Sequence, residues 1–106
     1  MSENIKHLGV DDFDGFVSKG NSVIDFYADW CGPCKIMAPR FDEAASELKG
    51  KVNFAKVDVD GEQELAERFG VMSIPTIVFI KNGEVVDKVT GAISKEQILS
   101  RVKDLF

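Results

Sequence analysis

The residues with the clearest chemistry are two cysteines in the pentapeptide Trp-Cys-Gly-Pro-Cys at positions 30–34. The pentapeptide lies where an apolar, strand-like run gives way to a helix-like pattern. In the first turn of a helix, thiols at i and i+3 lie on the same side, so their sulfurs can approach and close a small disulfide ring. The spacing therefore predicts a dithiol that opens and closes reversibly.

The two thiols are expected to differ in reactivity. Cys31 lies at the expected helix start, where unpaired backbone N–H groups and the positive end of the helix dipole stabilise a thiolate. Cys34 lies one turn further along, where the helix and its packing partner are expected to shield the sulfur. We therefore expect Cys31 to be the nucleophile and Cys34 to be the resolving thiol.

Half of a zinc site and an inert structural bridge are the two other interpretations of the cysteine pair. Zinc requires about four ligands, and His7, the only histidine, cannot complete a second ligand pair. The chain has 106 residues, of which 44 % are hydrophobic, so its core does not depend on a disulfide. Redox catalysis is therefore favoured, and no metal site is predicted.

Length, composition and charge limit the domain number, the location and the partners. A chain of this length accommodates one domain, which we place at 1–106. Residues 1–6 show no basic segment followed by an apolar stretch, and no segment approaches the ~20 apolar residues of a membrane span. We expect a soluble, cytoplasmic protein with no membrane partner. The net charge of -5 argues against nucleic acid, because phosphate binding relies on clustered Lys and Arg.

Strand-like and helix-like segments alternate around the cysteines. Strands are predicted at 5–8, 22–28, 52–59, 76–81 and 84–89, and an Asn-Gly turn joins the last two as antiparallel neighbours. We expect Asp11 and Asp12 to cap the first helix, residues 60–63 to cap the third, and Ser94 with Gln97 to cap the fourth. The order βαβαβαββα predicts an α/β domain whose mixed sheet has helices on both faces.

The motif and its surroundings resemble the thioredoxin family. The resemblance covers nearly the whole chain, from Ile5 to Phe106, and it rests on five stretches: 30–35 (Trp-Cys-Gly-Pro-Cys-Lys), Asp25, Pro39, 74–76 (Ile-Pro-Thr) and 81–84 (Lys-Asn-Gly-Glu). It implies the thioredoxin fold, a single domain with a central mixed five-stranded sheet flanked by four helices. Tyr27 departs from the family pattern, since thioredoxins often carry Trp there.

The activity implied by this resemblance is general protein-disulfide reduction by dithiol–disulfide exchange. The Cys31 thiolate would attack a disulfide in a target protein, and Cys34 would then release the target by forming the Cys31–Cys34 disulfide. A thioredoxin reductase, NADPH-linked in the family, would restore the dithiol. No tightly bound cofactor is required besides this redox-active disulfide, and a monomer is expected. Trp30, Gly32 and Pro33 are expected to tune the pair toward reduction.

Other functions on the same fold stay open as alternatives. An oxidase or isomerase of an oxidising compartment is opposed by the Gly32-Pro33 dipeptide and by the absence of a signal sequence. A glutaredoxin-like role would need a glutathione site, which nothing in the sequence marks. A redox-independent binding module, using the apolar surface around Trp30 as a subunit of a larger complex, is the alternative from a different class.

Asp25 is the second residue with predicted chemistry, because it interrupts an apolar run where desolvation raises the pKa of a carboxyl group. From the residues alone, a structural ion pair or an edge-strand carboxylate explains it equally well. The resemblance implies that Asp25 accepts and donates a proton for the buried cysteine, here Cys34, through water. Lys56, in the neighbouring strand, is the expected ionic partner.

A substrate-binding edge is implied around Pro75. Base rates favour a trans peptide bond before proline, whereas the resemblance implies a cis bond that faces the cysteines and leaves the Ile74 backbone for strand-like pairing with substrate. The surrounding apolar surface is implied to comprise Trp30, Gly32, Pro33, Met72, Ile74, Gly91 and Ala92. Ordinary packing stays the alternative for Met72 and Ala92, and a plain turn for Gly91.

Overall fold

The computed structural model describes residues 5–106, and their elements follow the predicted order βαβαβαββα. The elements are β1 (Ile5–His7), α1 (Val10–Val17), β2 (Asn21–Tyr27), α2 (Gly32–Glu47), β3 (Asn53–Asp58), α3 (Gln63–Arg68), β4 (Thr76–Lys81), β5 (Glu84–Thr90) and α4 (Lys95–Leu105). Residues 1–4 lie outside the described residues. Two predictions fall partly on these four residues. One is that residues 1–6 contain no basic segment followed by an apolar stretch, and the other is that the domain begins at residue 1.

The five strands form one mixed sheet in the order β1-β3-β2-β4-β5. β1, β3 and β2 run parallel to one another, and β4 runs antiparallel to both β2 and β5. β2 is therefore the central strand. Its run Ser22 to Phe26 is buried, as expected for a strand that is covered on both faces.

Two apolar clusters cover the two faces of the sheet. One includes Met37 and Phe41 of α2 together with Ile98 of α4. The other includes Phe13 of α1 and Leu65 of α3. The α2 and α4 helices thus pack on one face and α1 and α3 on the other, so the helix that carries the cysteines is held against the centre of the sheet.

The turn and helix-cap predictions have mixed outcomes. The β4–β5 connection is confirmed, since Asn82 and Gly83 adopt φ angles of 48° and 85°, the left-handed values that a type I′ turn requires. The cap of α4 is also confirmed, because the Ser94 side chain accepts from the Gln97 N–H at 3.1 Å and Gln97 accepts from the Ser94 N–H at 2.8 Å.

The capping predictions for α1 and α3 are confirmed only in part. α1 begins at Val10 after Gly9, and Asp12 accepts the Gly9 N–H at 2.8 Å from within the first turn. α3 begins at Gln63 after Glu62, with no side-chain cap hydrogen bond among the described residues. The Glu62 carboxylate instead accepts the Val10 N–H at 3.3 Å. At α1 this tertiary contact adds to the local cap made by Asp12.

Candidate active site

Cys31 and Cys34 form a disulfide at the junction between β2 and α2, with their Cα atoms 5.2 Å apart. Cys31 is the N-cap of α2 and has extended backbone, and Pro33 lies in the first turn, where a proline costs no helical hydrogen bond. The Cys34 N–H donates to Cys31 Sγ at 3.2 Å. The sulfur of Cys31 therefore takes the place that a serine or aspartate oxygen takes at an ordinary helix start.

Burial does not distinguish the two cysteines. Cys31 is 4 % exposed and Cys34 is 5 % exposed, so the shielding expected for Cys34 extends to Cys31. Both pack with Ala28, and Ile74 lies against this group. What distinguishes the sulfurs is polar contact, because Cys31 Sγ receives the Cys34 N–H and lies 3.8 Å from the carbonyl oxygen of Ile74.

Asp25 is completely buried in β2, between Lys56 of β3 and Ile77 of β4. Neither carboxylate oxygen has a hydrogen-bond partner among the described residues. Desolvation raises the pKa of Asp25 to about 7, and the positive charge of Lys56 offsets only part of this effect. The carboxyl group therefore changes its protonation state near neutral pH, where a proton acceptor and donor is most effective.

Lys56 is the register partner of Asp25, but its ammonium group makes a different contact from the predicted one. Its Nζ lies over the ring of Tyr27, 4.7 Å from the centroid, and Asp25 accepts no hydrogen bond from it. The predicted ionic partnership is thus limited to an electrostatic influence between neighbouring strands. The sequence identified the two strands but not the direction of the lysine side chain.

Two adjoining cavities lie around Lys56, and the smaller one reaches Cys34. One, of about 170 Å³, is lined by Cys34, Lys56 and Tyr27 among others. The second, of about 370 Å³, shares Tyr27 and Lys56 and extends to His7. Both volumes are large enough to hold water, and Lys56 lines both cavities.

Trp30 projects from the protein beside Cys31 and is 69 % exposed. Its indole Nε1 donates to the Asp60 carboxylate at 2.7 Å. Sequence reasoning missed Asp60, although a signal was present. Tyr27 and Asp58 pair at the carboxyl ends of two parallel strands, so residues shortly after each strand meet at one edge of the sheet.

The other predicted contact residues fall into two groups. Met72 is 96 % exposed, and Gly32 and Pro33 are also exposed. Ile74, Gly91 and Ala92 are half-buried, while Pro75 is buried. The Ile74–Pro75 peptide bond is cis, as the resemblance implied.

Hydrogen bonding joins the segment around Pro75 to the one after β5. The Gly91 N–H donates to the Pro75 carbonyl at 2.8 Å. Gly91 has φ +104°, and a side chain added there would meet no heavy atom within 4 Å. Ala92 packs against the core cluster of α2 and α4. Ordinary packing, the alternative to substrate contact, therefore accounts for part of its surface.

Within residues 5–106, no group of three or more His, Cys, Asp or Glu side chains could hold a metal ion. None of the described helices is both long enough and apolar enough to cross a membrane.

A disulfide between the N-cap and the first turn of a helix, at the end of a central strand, defines a thiol–disulfide oxidoreductase. The thioredoxin family model matches residues 4–104. The thioredoxin of Staphylococcus saprophyticus is 48 % identical over 86 residues, 81 % of this chain and 83 % of the relative. That of Staphylococcus aureus is 46 % identical over 87 residues, covering 82 % and 84 %.

A solved structure agrees with these sequence matches. The crystal structure of Malassezia sympodialis thioredoxin superimposes with a TM-score of 0.85 at 36 % identity, covering 95 % of this chain and 90 % of that one. The chain belongs to the thioredoxin family. It is a protein-disulfide oxidoreductase that carries the Cys-Gly-Pro-Cys motif as its redox-active disulfide.

Proposed function

We propose that Cys31 is the attacking thiolate and Cys34 the resolving thiol in the reduction of disulfides in target proteins. The hydrogen bond from the Cys34 N–H to Cys31 Sγ is the observation that carries this assignment. A donor at 3.2 Å at the start of a 16-residue helix stabilises negative charge on that sulfur. Cys34 lies within the turn and supplies this donor, so its own sulfur gains nothing from it.

The exchange then takes two balanced steps. Cys31 Sγ attacks one sulfur of the target disulfide, forming a mixed disulfide and expelling the other target sulfur as a thiolate. Cys34 gives up its proton and attacks Cys31 Sγ, which forms the Cys31–Cys34 disulfide and releases the second target sulfur. Two electrons pass from the dithiol to the target.

Asp25 is the proposed acceptor for the proton of Cys34. Its pKa of about 7 lets it accept a proton near neutrality and return it when the dithiol is restored. The smaller cavity, lined by Cys34 and Lys56, offers room for water between the thiol and the strand that carries Asp25. Lys56 acts in this scheme through its charge.

Target proteins are proposed to dock on the apolar surface next to Cys31. The exposed Trp30 and Met72 side chains supply apolar contact area. The Ile74 carbonyl lies 3.8 Å from Cys31 Sγ, so an extended segment that pairs with this backbone would bring its disulfide to the sulfur. The open space at Gly91 permits close approach of a second backbone.

The reductase, the location and the assembly complete the proposal. The electrons would come from an NADPH-linked thioredoxin reductase, and the protein would work as a cytoplasmic monomer of one domain, 1–106. Both cysteines belong to the redox motif, which suits a compartment where other thiols stay reduced.

Reduction of insulin disulfides with NADPH and a thioredoxin reductase tests the assignment. Wild type should turn over, and Cys34→Ser should accumulate a mixed disulfide through Cys31. Failure to turn over with any reductase would favour the redox-independent binding module. A Cys31→Ser, Cys34→Ser variant that still supported the cellular function would point the same way.

A further inference from the structure

A cluster of three side chains lies beside the cysteine pair and consists of Lys56, Tyr27 and His7. The proposed exchange steps do not explain the contacts within this cluster. Lys56 Nζ lies 4.7 Å from the centroid of the Tyr27 ring. The Tyr27 hydroxyl lies 3.4 Å from His7 Nδ1. The aromatic ring therefore has a cation on its face and a polar partner at its tip.

The strand register explains why these side chains meet. His7, Lys56 and Asp25 are successive partners across β1, β3 and β2, so their side chains form a row on one face of the sheet. Tyr27 follows Asp25 by two residues and shares that face. Lys56 consequently has two groups within its range, the carboxyl group of Asp25 and the ring of Tyr27.

The ammonium group of Lys56 lies on the ring. Both oxygens of Asp25 are without a hydrogen-bond partner among residues 5–106, whereas the cation over Tyr27 has the geometry of a cation–π contact. Burial raises the pKa of Tyr27, and the carboxylates of Asp58, Asp29 and Asp25 raise it further. The phenol is thus protonated at neutral pH, and its ring is uncharged.

We propose that Tyr27 is a positioning residue, which holds the Lys56 ammonium group on its ring and off the Asp25 carboxyl group. The proposal rests on the proposed role of Asp25 as proton acceptor for Cys34. A lysine paired directly with Asp25 would favour its carboxylate and make it a weaker acceptor. The ring of Tyr27 thereby sets the proton affinity of the Asp25 carboxyl group.

Several other titratable or charged groups surround Lys56, and none of them is substituted in the titration described below. They come from β1, from β2 and the loop after it, from α2 and from β3: His7, Asp25, Asp29, Cys34, Lys35, Asp42 and Asp58. Because only positions 27 and 56 are changed, these groups are common to all the variants that are compared.

A carbon-13 NMR titration of the Asp25 carboxyl group in the disulfide form tests the proposal without any turnover. Tyr27→Leu removes the ring, and we expect the acid dissociation constant of Asp25 to rise about tenfold or more as Lys56 moves onto the carboxylate. Tyr27→Phe keeps the ring but loses the hydroxyl, and Tyr27→Trp supplies another ring. Both should keep the wild-type constant.

The Asp25 constant could change in Tyr27→Leu because the Lys56 ammonium group moves or because water enters the space left by the ring. A Lys56→Met background distinguishes these two causes. There, Tyr27→Leu should leave the Asp25 constant unchanged, because no ammonium group can move. An equal change with and without Lys56 would overturn the proposal, and so would an unchanged constant in Tyr27→Leu alone. Amide spectra of each variant report whether it is folded.

A second measurement does not depend on the leucine variant. The Tyr27 ring current should shift the Hε protons of Lys56 upfield in wild type and in Tyr27→Phe. Lys56 protons at their random-coil position would contradict the proposed contact. The proposed proton transfer from Cys34 to Asp25 is tested separately, by the rate at which Cys34 resolves a mixed disulfide in wild type and in Asp25→Asn. Equal rates would contradict the role of Asp25, while the titration still decides whether Tyr27 holds Lys56.

Discussion

The backbone N–H of Cys34 donates a hydrogen bond to the sulfur of Cys31 across 3.2 Å, inside the first turn of α2. A hydrogen bond to a charged acceptor contributes about 1.5–3 kcal/mol, so the thiolate of Cys31 is favoured over that of Cys34. After reduction, we expect iodoacetamide at neutral pH to alkylate Cys31 at least about tenfold faster than Cys34. Peptide mass spectrometry after timed quenching measures both rates.

The single serine variants are the controls for this alkylation experiment. Cys34→Ser keeps the donating N–H, so Cys31 should stay fast in this variant. Cys31→Ser leaves only the slow thiol. Similar rates for the two cysteines in the wild-type protein would contradict the assignment of Cys31 as nucleophile.

Asp25 should make the stability of the fold fall as the pH rises. Its folded pKa is about 7, above the unfolded value of about 3.9, so the folded state holds the proton more tightly. The resulting stability is complete below about pH 4 and is lost as the pH rises through about 7. Asp25→Ala should therefore gain stability relative to wild type between pH 4 and pH 8, by about 4 kcal/mol at most.

Urea denaturation of the disulfide form at pH 4, 6 and 8 measures this effect. Ser22→Ala is a matched control, because the Ser22 hydroxyl is also buried in β2 and has no hydrogen-bond partner among the described residues. Its effect on the free energy of unfolding should not depend on pH. If Asp25→Ala were clearly less stable than wild type at pH 8, the carboxylate would have a structural role.

The hydrogen bond between Trp30 and Asp60 should orient the indole for target binding. Asp60→Ala removes the acceptor, and we expect the KM for a protein disulfide to rise about two- to tenfold, as loss of a hydrogen bond of about 0.5–1.5 kcal/mol implies. Trp30 is the only tryptophan, so fluorescence anisotropy reports directly on its mobility and should fall. Asp60→Asn retains an acceptor oxygen and should behave nearly as wild type. Unchanged anisotropy in Asp60→Ala would count against this role.

Arg40 links the cysteine helix to the proposed docking surface. Its Nη1 donates to the carbonyl of Ile93 at 3.2 Å, next to Ala92. Arg40→Met should loosen this segment and raise the KM for protein disulfides severalfold, with little effect on the reduction of a small aromatic disulfide.

Lys95→Met provides the comparison for Arg40→Met. Lys95 also reaches α2, through a partly exposed ion pair with Glu47 at 2.7 Å, and ion pairs near the surface contribute about 0–1 kcal/mol. The lysine variant should bind protein disulfides nearly as wild type does. Equal increases in KM for the two variants would show that the hydrogen bond to Ile93 has no special importance.

Local sequence signals predicted the elements better than they predicted the contacts between elements. The Asn82-Gly83 turn and the Ser94 cap depend on neighbouring residues, and both are confirmed. The start of α1 depends in part on Glu62, which is 52 residues away from Val10 in the sequence. No local pattern marks such a contact.

The same limit applies at the site. The apolar run around Asp25 predicted its burial, and the structure places it there. The contact of Lys56 with Tyr27 depends on the orientation of a flexible side chain among several neighbours, which neither spacing nor residue type determines.

The outer strand β5 is a poor template for pairing with another molecule. It has a register shift opposite Phe79 and Ile80 as well as the charged residues Asp87 and Lys88. Bulges and charges on an edge strand hinder the addition of a strand from a second chain. Joining of two molecules into one continuous sheet through their β5 edges is therefore disfavoured.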